Sequence, residues 1–231
     1  IGVRLVGSEM CIRDRAMRAT SSLMVVFILG VSSAHAQSVI GEAYAEDGGA
    51  LRYLEVHKCA TNGEECLVEY RYPEGDVFAR KRIDYRGSMQ APGLQIEDLR
   101  AGETVVIDSE FGEDVVVDAG FDHYVRMRWD ELSSGAAVQF PFLVVGRDKP
   151  LNMRAQMESA TACPESRLCL SVTLDNWLFA ALIDPIRLQY DQDSRRLLQF
   201  RGVSNLRDDD GKSQQVTIQY RYQEDALDTA S

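Results

Sequence analysis

Apolar and polar residues alternate with a period of two through most of this chain, and that alternation limits the fold more than any other feature. In Gln215–Tyr222, Val216, Ile218, Tyr220 and Tyr222 fall on one face, with Gln215, Thr217, Gln219 and Arg221 on the other. A strand with one side buried has this pattern. Pro185–Asp191 repeats it, with Ile186, Leu188 and Tyr190 opposed to Arg187, Gln189 and Asp191. Val77–Tyr85 follows with Val77, Ala79, Ile83 and Tyr85 on one face, interrupted by Lys81. Leu51–Cys59 and Cys66–Tyr72 read as a hairpin around the turn residues Thr61-Asn62-Gly63. Further strands are expected near 39–45, 93–99, 103–110, 113–118, 137–145, 151–158, 167–174 and 195–203. The turns between them carry Asp47-Gly48-Gly49, Pro73-Glu74-Gly75, Phe111-Gly112-Glu113 and Asp208-Asp209-Asp210-Gly211. Such short spacings predict consecutive antiparallel strands.

Only two segments have helical character. Phe121–Ser134 places Phe121, Tyr124, Val125, Trp129 and Leu132 on one face, and Gly135 stops it. Trp177–Ile183 is apolar all round, with Asp175-Asn176 before it and Pro185 after. About ten strands at ~4.8 Å spacing make a sheet roughly 48 Å wide, whereas two helices about 10 Å across cover only about 20 Å of it. The sheet must therefore bury its apolar side by curling. The expected fold is mainly β (α+β): a curled antiparallel sheet, half-barrel or barrel of about ten strands, with two short helices packed on or in it. A barrel of that size leaves room inside either for helices that plug it or for an apolar ligand.

The front of the chain is set apart from this pattern. Met17 with Arg18, the apolar run Leu23–Val31 and the small-x-small site Ala34-His35-Ala36 before Gln37 read as a secretory signal over 17–36. Nine apolar residues fall well short of the ~20 that span a bilayer. No cysteine follows the cleavage site to accept a lipid. The VGSEMCIRDR of Val6–Arg15 resembles the translated end of a sequencing adapter, so residues 1–15 are expected to be an assembly artefact. The remaining 37–231 form one β-rich domain, placed in the periplasm. Without residues 1–36 the chain holds 21 bases against 34 acids, a net of −13. That charge argues against nucleic acid and anionic membrane surfaces as partners.

Four cysteines remain after the signal, Cys59, Cys66, Cys163 and Cys169. They allow three pairings, and local geometry favours Cys59 with Cys66 across a hairpin neck and Cys163 with Cys169 around Pro164-Glu165-Ser166. Neither pair has the CxxC spacing of a zinc knuckle or a thioredoxin-type motif. Disulfides are the expected state, and they fit an oxidising compartment.

FDHYVRMRWDEL (121–132), FPFLVVGRDKP (140–150) and DPIRLQYDQDSRRLLQFRGVSNLRDDDG (184–211) resemble a family of uncharacterised exported bacterial proteins, over most of residues 40–222. That resemblance implies export but no activity. In architecture alone, a signal followed by a long antiparallel meander with a few apolar helices is similar to the periplasmic lipoprotein carrier. Its half-open barrel holds an acyl chain beneath helical lids.

Chemistry is sparse. The domain has two histidines, His57 and His123; Gly87-Ser88-Met89-Gln90-Ala91 fails as a nucleophile elbow at its last position, and HExxH is absent. His123 and Asp122 are helical neighbours that point apart. The acidic turn 208–211 lacks the alternating ligands of a calcium loop. No catalytic residue, metal ligand or cofactor is assigned. The leading expectation is an exported envelope protein that binds a lipid or other apolar ligand in a curled sheet. Phe121, Tyr124 and Trp129 would line the interior, and Trp177, Phe179 and Leu182 would form a lid. The alternatives are an envelope interaction module without a cavity, acting on a protein partner, and a hydrolase with a spatially assembled site.

Overall fold

The structure, a computed structural model, describes residues 38–46, 49–108, 111, 114–159, 163–176 and 184–223. Thirteen strands form one sheet: β1 (Ser38–Ala45), β2 (Leu51–Cys59), β3 (Glu65–Arg71), β4 (Val77–Asp84), β5 (Gly93–Asp98), β6 (Glu103–Ile107), β7 (Val116–Val117), β8 (Val138–Leu143), β9 (Leu151–Met157), β10 (Arg167–Leu174), β11 (Ile186–Asp191), β12 (Leu197–Arg207) and β13 (Ser213–Tyr222). Their spatial order is β6-β5-β4-β3-β2-β1-β13-β12-β11-β10-β9-β8-β7. The chain is thus two antiparallel meanders joined where β1 pairs with β13, Gly41 opposite Tyr220. The sheet curls and does not close: β6 and β7 are its two ends. This settles the choice between half-barrel and barrel in favour of the open form.

The thirteen strands are the thirteen segments whose pattern reads as strand in the sequence, a few more than the rounded ten used for the width of the sheet. Two expectations need correction. The rule of antiparallel neighbours fails at β7, which runs parallel to β8 with Val116 opposite Phe142. The intervening helices let the chain re-enter in the same direction. The helix expected over 121–134 is two, α1 (Gly120–Met127) and α2 (Trp129–Ser133). At Arg128 the backbone leaves helical angles (φ −99, ψ 19), yet its N–H still donates to Tyr124 O and its carbonyl accepts from Leu132 N. The apolar face therefore continues across the break, and Gly135, at φ +88, stops α2. The second expected helix, 177–183, lies outside the described residues.

Period-two patterning does its work on the inner face. One buried cluster joins Ala43, Tyr53, Val68, Tyr70, Ile83 and Ile96 of β1–β5 with Ile218 of β13 and with Val117, Leu143 and Leu206. A second packs Tyr124, Val125, Trp129 and Leu132 of the helices against Phe140, Ala155, Leu170, Leu188 and Tyr190 of β8–β11. Both cysteine pairs are disulfides. Cys59 and Cys66 face each other in the β2–β3 register, with Cα atoms 4.0 Å apart, and Cys163 joins Cys169. Such bonds are compatible with an exported protein. Among the described residues, no helix is long and apolar enough to cross a membrane.

Candidate functional site

Helix α1 lies in the hollow of the sheet, and its 3.6-residue period turns a different chemistry to each side. The first side is aromatic. Phe121 stacks on Phe140 at 5.3 Å between ring centroids and meets Phe142 edge-on at 5.8 Å. Tyr124 packs on Phe140 at 4.9 Å. Trp129, which opens α2, sits edge-on to Tyr190 of β11 at 5.9 Å, and the Arg195 guanidinium covers it at 5.2 Å. Tyr124 and Trp129 are buried and Phe121 is partly buried. Three of the residues singled out in the sequence, Phe121, Tyr124 and Trp129, thus belong to one packed cluster, in which Phe121 and Tyr124 form an aromatic wall with Phe140 and Phe142. Trp177, Phe179 and Leu182 lie outside the described residues.

The second side of α1 is polar. Asp122 and Arg126, one turn apart, form an ion pair, and their charges act on Tyr190 of β11 and Tyr222 of β13. Burial is the main cause that holds the Tyr190 phenol well above its ordinary range, with the Asp122 carboxylate adding to it. Tyr222, raised to about 12 chiefly by burial, donates its hydroxyl to Leu197 O at 3.0 Å. On the third side His123 meets Tyr85 edge-on at 4.8 Å. Burial and the nearby Arg126 hold this imidazole below its usual pKa, and Asp122 opposes them.

The base of α1 is fixed by contacts that sequence alone does not announce. Lys81 is the residue that interrupts the inward face of β4. It is buried, and its Nζ donates to Asp118 Oδ2 at 2.7 Å. Asp118, at φ +38, stands between β7 and α1 and also accepts from Asn205 Nδ2 of β12. Val117 N donates to Gln90 O at 2.9 Å. A Cβ at Gly120 would come within 2.1 Å of that same Gln90 carbonyl. Only glycine lets the first turn of the helix seat there.

A further polar group lies across the middle of the sheet. Tyr220 Oη donates to Glu55 Oε2 at 3.1 Å, and Glu55 lies 3.2 Å from His57 Nε2. Tyr220, Gly41 and Glu55 stand side by side in the register of β13, β1 and β2. The Tyr220 ring passes over the bare Gly41, where a Cβ would meet its Cε1 at 2.9 Å. Burial, and next the neighbouring Glu55, keep this phenol well above its ordinary range. It acts as a hydrogen-bond donor.

The surface hollows have another character. One of about 540 Å³ is lined by Ala45, Glu46, Arg52, Arg201, Asp208, Gln214 and Gln215, a charged lining unsuited to an apolar chain. Among the described residues no cluster of three or more His, Cys, Asp or Glu is placed to hold a metal ion.

Comparison with known proteins adds no family: no protein-family model, curated protein or solved structure matches this chain.

Proposed function

We propose that this protein is an exported, periplasmic component of the cell envelope that binds an apolar ligand, of the acyl-chain kind, within its curled sheet. The observation that carries this reading is the aromatic wall of Phe121, Tyr124, Phe140 and Phe142. It is formed between α1, one of two short helices of eight and five residues, and β8, in a sheet whose ends do not meet. Short helices gain little from their own backbone bonds and rely on packing for stability. Exchange of the α1–α2 cover for a ligand therefore replaces one set of apolar contacts with another. The two disulfides and the apolar run Leu23–Val31 support export.

Native mass spectrometry of protein purified from an envelope fraction tests this. The expected result is a lipid adduct that is displaced by a fluorescent fatty acid. Delipidated protein that takes up neither natural lipid nor probe would overturn it.

A second reading has its own support. The inner face is packed by α1 and α2, and the end strand β6 exposes Glu103, Thr104 and Val106. This favours an envelope interaction module. Crosslinking in intact cells from a photoreactive residue at position 106 tests it, with a discrete protein adduct expected. Absence of any adduct would remove this reading.

A further inference from the structure

The charged hollow of about 540 Å³ lies at the end of the sheet where the β1–β2 and β12–β13 turns stand side by side. The turns are neighbours because β1 pairs with β13, with Ala45 opposite Val216. Arg52 of β2, Arg201 of β12, and Gln214 and Gln215 of β13 line it, together with Glu46 and Asp208 just beyond the ends of β1 and β12. A hollow of this volume is within the range of about 300–1,000 Å³ found for small-molecule sites.

Several of these groups are engaged on one side only. Arg201 Nη2 donates to Glu46 Oε1 at 3.2 Å. Asp208 Oδ1 accepts from Asp210 N at 3.1 Å and from Lys212 N at 2.7 Å. Gln214 Nε2 donates to Leu206 O at 3.3 Å, and Gln215 Nε2 to Asp184 Oδ2 at 3.4 Å. Among the described residues, Arg52 has no hydrogen bond, ion pair or ring contact, and Glu46 Oε2 and Asp208 Oδ2 accept from no donor. The hollow therefore presents one open guanidinium and the open oxygens of two carboxylates.

We infer that this hollow binds a small zwitterion, a free amino acid or short peptide, with its carboxylate on Arg52 and its ammonium on Asp208 and Glu46. The planar guanidinium fork matches a carboxylate through two parallel bonds. Ionised carboxylates only accept, so they call for a donor such as an ammonium group. A purely anionic ligand meets Glu46, Asp208 and the domain's surplus of acids. A purely cationic one meets Arg52, and a neutral one compensates neither charge. The hollow shares no residue with the aromatic wall, so the inference is independent of the apolar-ligand reading.

Amide NMR titration of the protein with glycine, diglycine and triglycine tests it. At least one of these should bind, with shifts centred on Gln214 and Gln215. For the tightest of them, amidation of the carboxylate and acetylation of the amine should each weaken binding about tenfold, the effect of one charge-assisted hydrogen bond. Arg52→Gln should weaken the free form about tenfold and leave the amidated form unchanged. Asp208→Asn keeps the Oδ1 acceptor of its turn, and should weaken the free form while leaving the acetylated form unchanged. A merely structural role for either residue would move all forms alike. Binding of none of the three probes, affinity that ignores both caps, or equal loss of free and amidated forms in Arg52→Gln would each overturn the site.

Discussion

Lys81 and Asp118, 37 residues apart in the chain, meet at 2.7 Å inside the sheet with side chains only 9 % and 5 % exposed. This ion pair ties β4 to the start of α1. Burial lowers the pKa of this ammonium, but Asp118, with Tyr70 and Glu55, outweighs burial and holds it well above its ordinary range. Removal of one partner leaves an uncompensated charge in the interior. Lys81→Met should therefore cost about 3–5 kcal/mol, read as a lower urea midpoint. Lys81→Met with Asp118→Asn should recover most of the loss, since Asn also tolerates the positive φ of position 118. A single variant with unchanged stability would show the pair to be dispensable.

Gly41 makes room for the Tyr220 ring on its way to Glu55. Gly41→Ala should displace that ring, breaking the 3.1 Å bond, and cost about 1–3 kcal/mol as an overpacked site. Gly41→Ala with Tyr220→Leu should cost less than the sum of the two single changes. Strict additivity in chemical denaturation would show that the two residues do not compete for the space.

Gly120 controls how deeply α1 is seated. Gly120→Ala places a methyl group on the Gln90 carbonyl and should lift the first turn of the helix off the sheet. The aromatic wall then becomes accessible, so binding of an environment-sensitive apolar dye should rise while far-ultraviolet circular dichroism stays strand-rich. Dye binding equal to that of the wild type would show that the helix base does not govern access.

His123 gives the cover a pH dependence with a defined sign. Its pKa is lowered in the fold, by burial first and Arg126 next, with Asp122 opposing. Its contribution is therefore complete above the unfolded-state value of about 6.5 and is lost as pH falls from there through the folded-state value. The thermal midpoint should drop between pH 7.5 and pH 5 by more in the wild type than in His123→Phe, which keeps a ring against Tyr85. Parallel pH profiles for the two proteins would remove His123 as the cause.

The strands of this fold were legible because each carries its own signal. Val216, Ile218 and Tyr220, or Leu188 and Tyr190, declare a buried face within a few residues of one another, and the disulfide Cys59–Cys66 follows from a single hairpin. Of the interior, Phe121, Tyr124 and Trp129 were legible from helical spacing. Which strand residues they meet, Phe140 and Tyr190, was not legible, because those strands lie elsewhere in the chain. Lys81 alone left a trace, as a break in the apolar face of β4.

Local alternation, turn residues and the shortage of helix thus determined by themselves that this chain forms a curled, mainly β domain. Tertiary structure decided that β1 meets β13, that the sheet stays open, and that α1 sits in its hollow with one aromatic and one polar side. The reason is one of range. Alternation is written into consecutive residues, whereas the encounters of Lys81 with Asp118 and of Tyr220 with Glu55 across Gly41 depend on register between strands that are distant in sequence. That register is set only when the whole sheet packs.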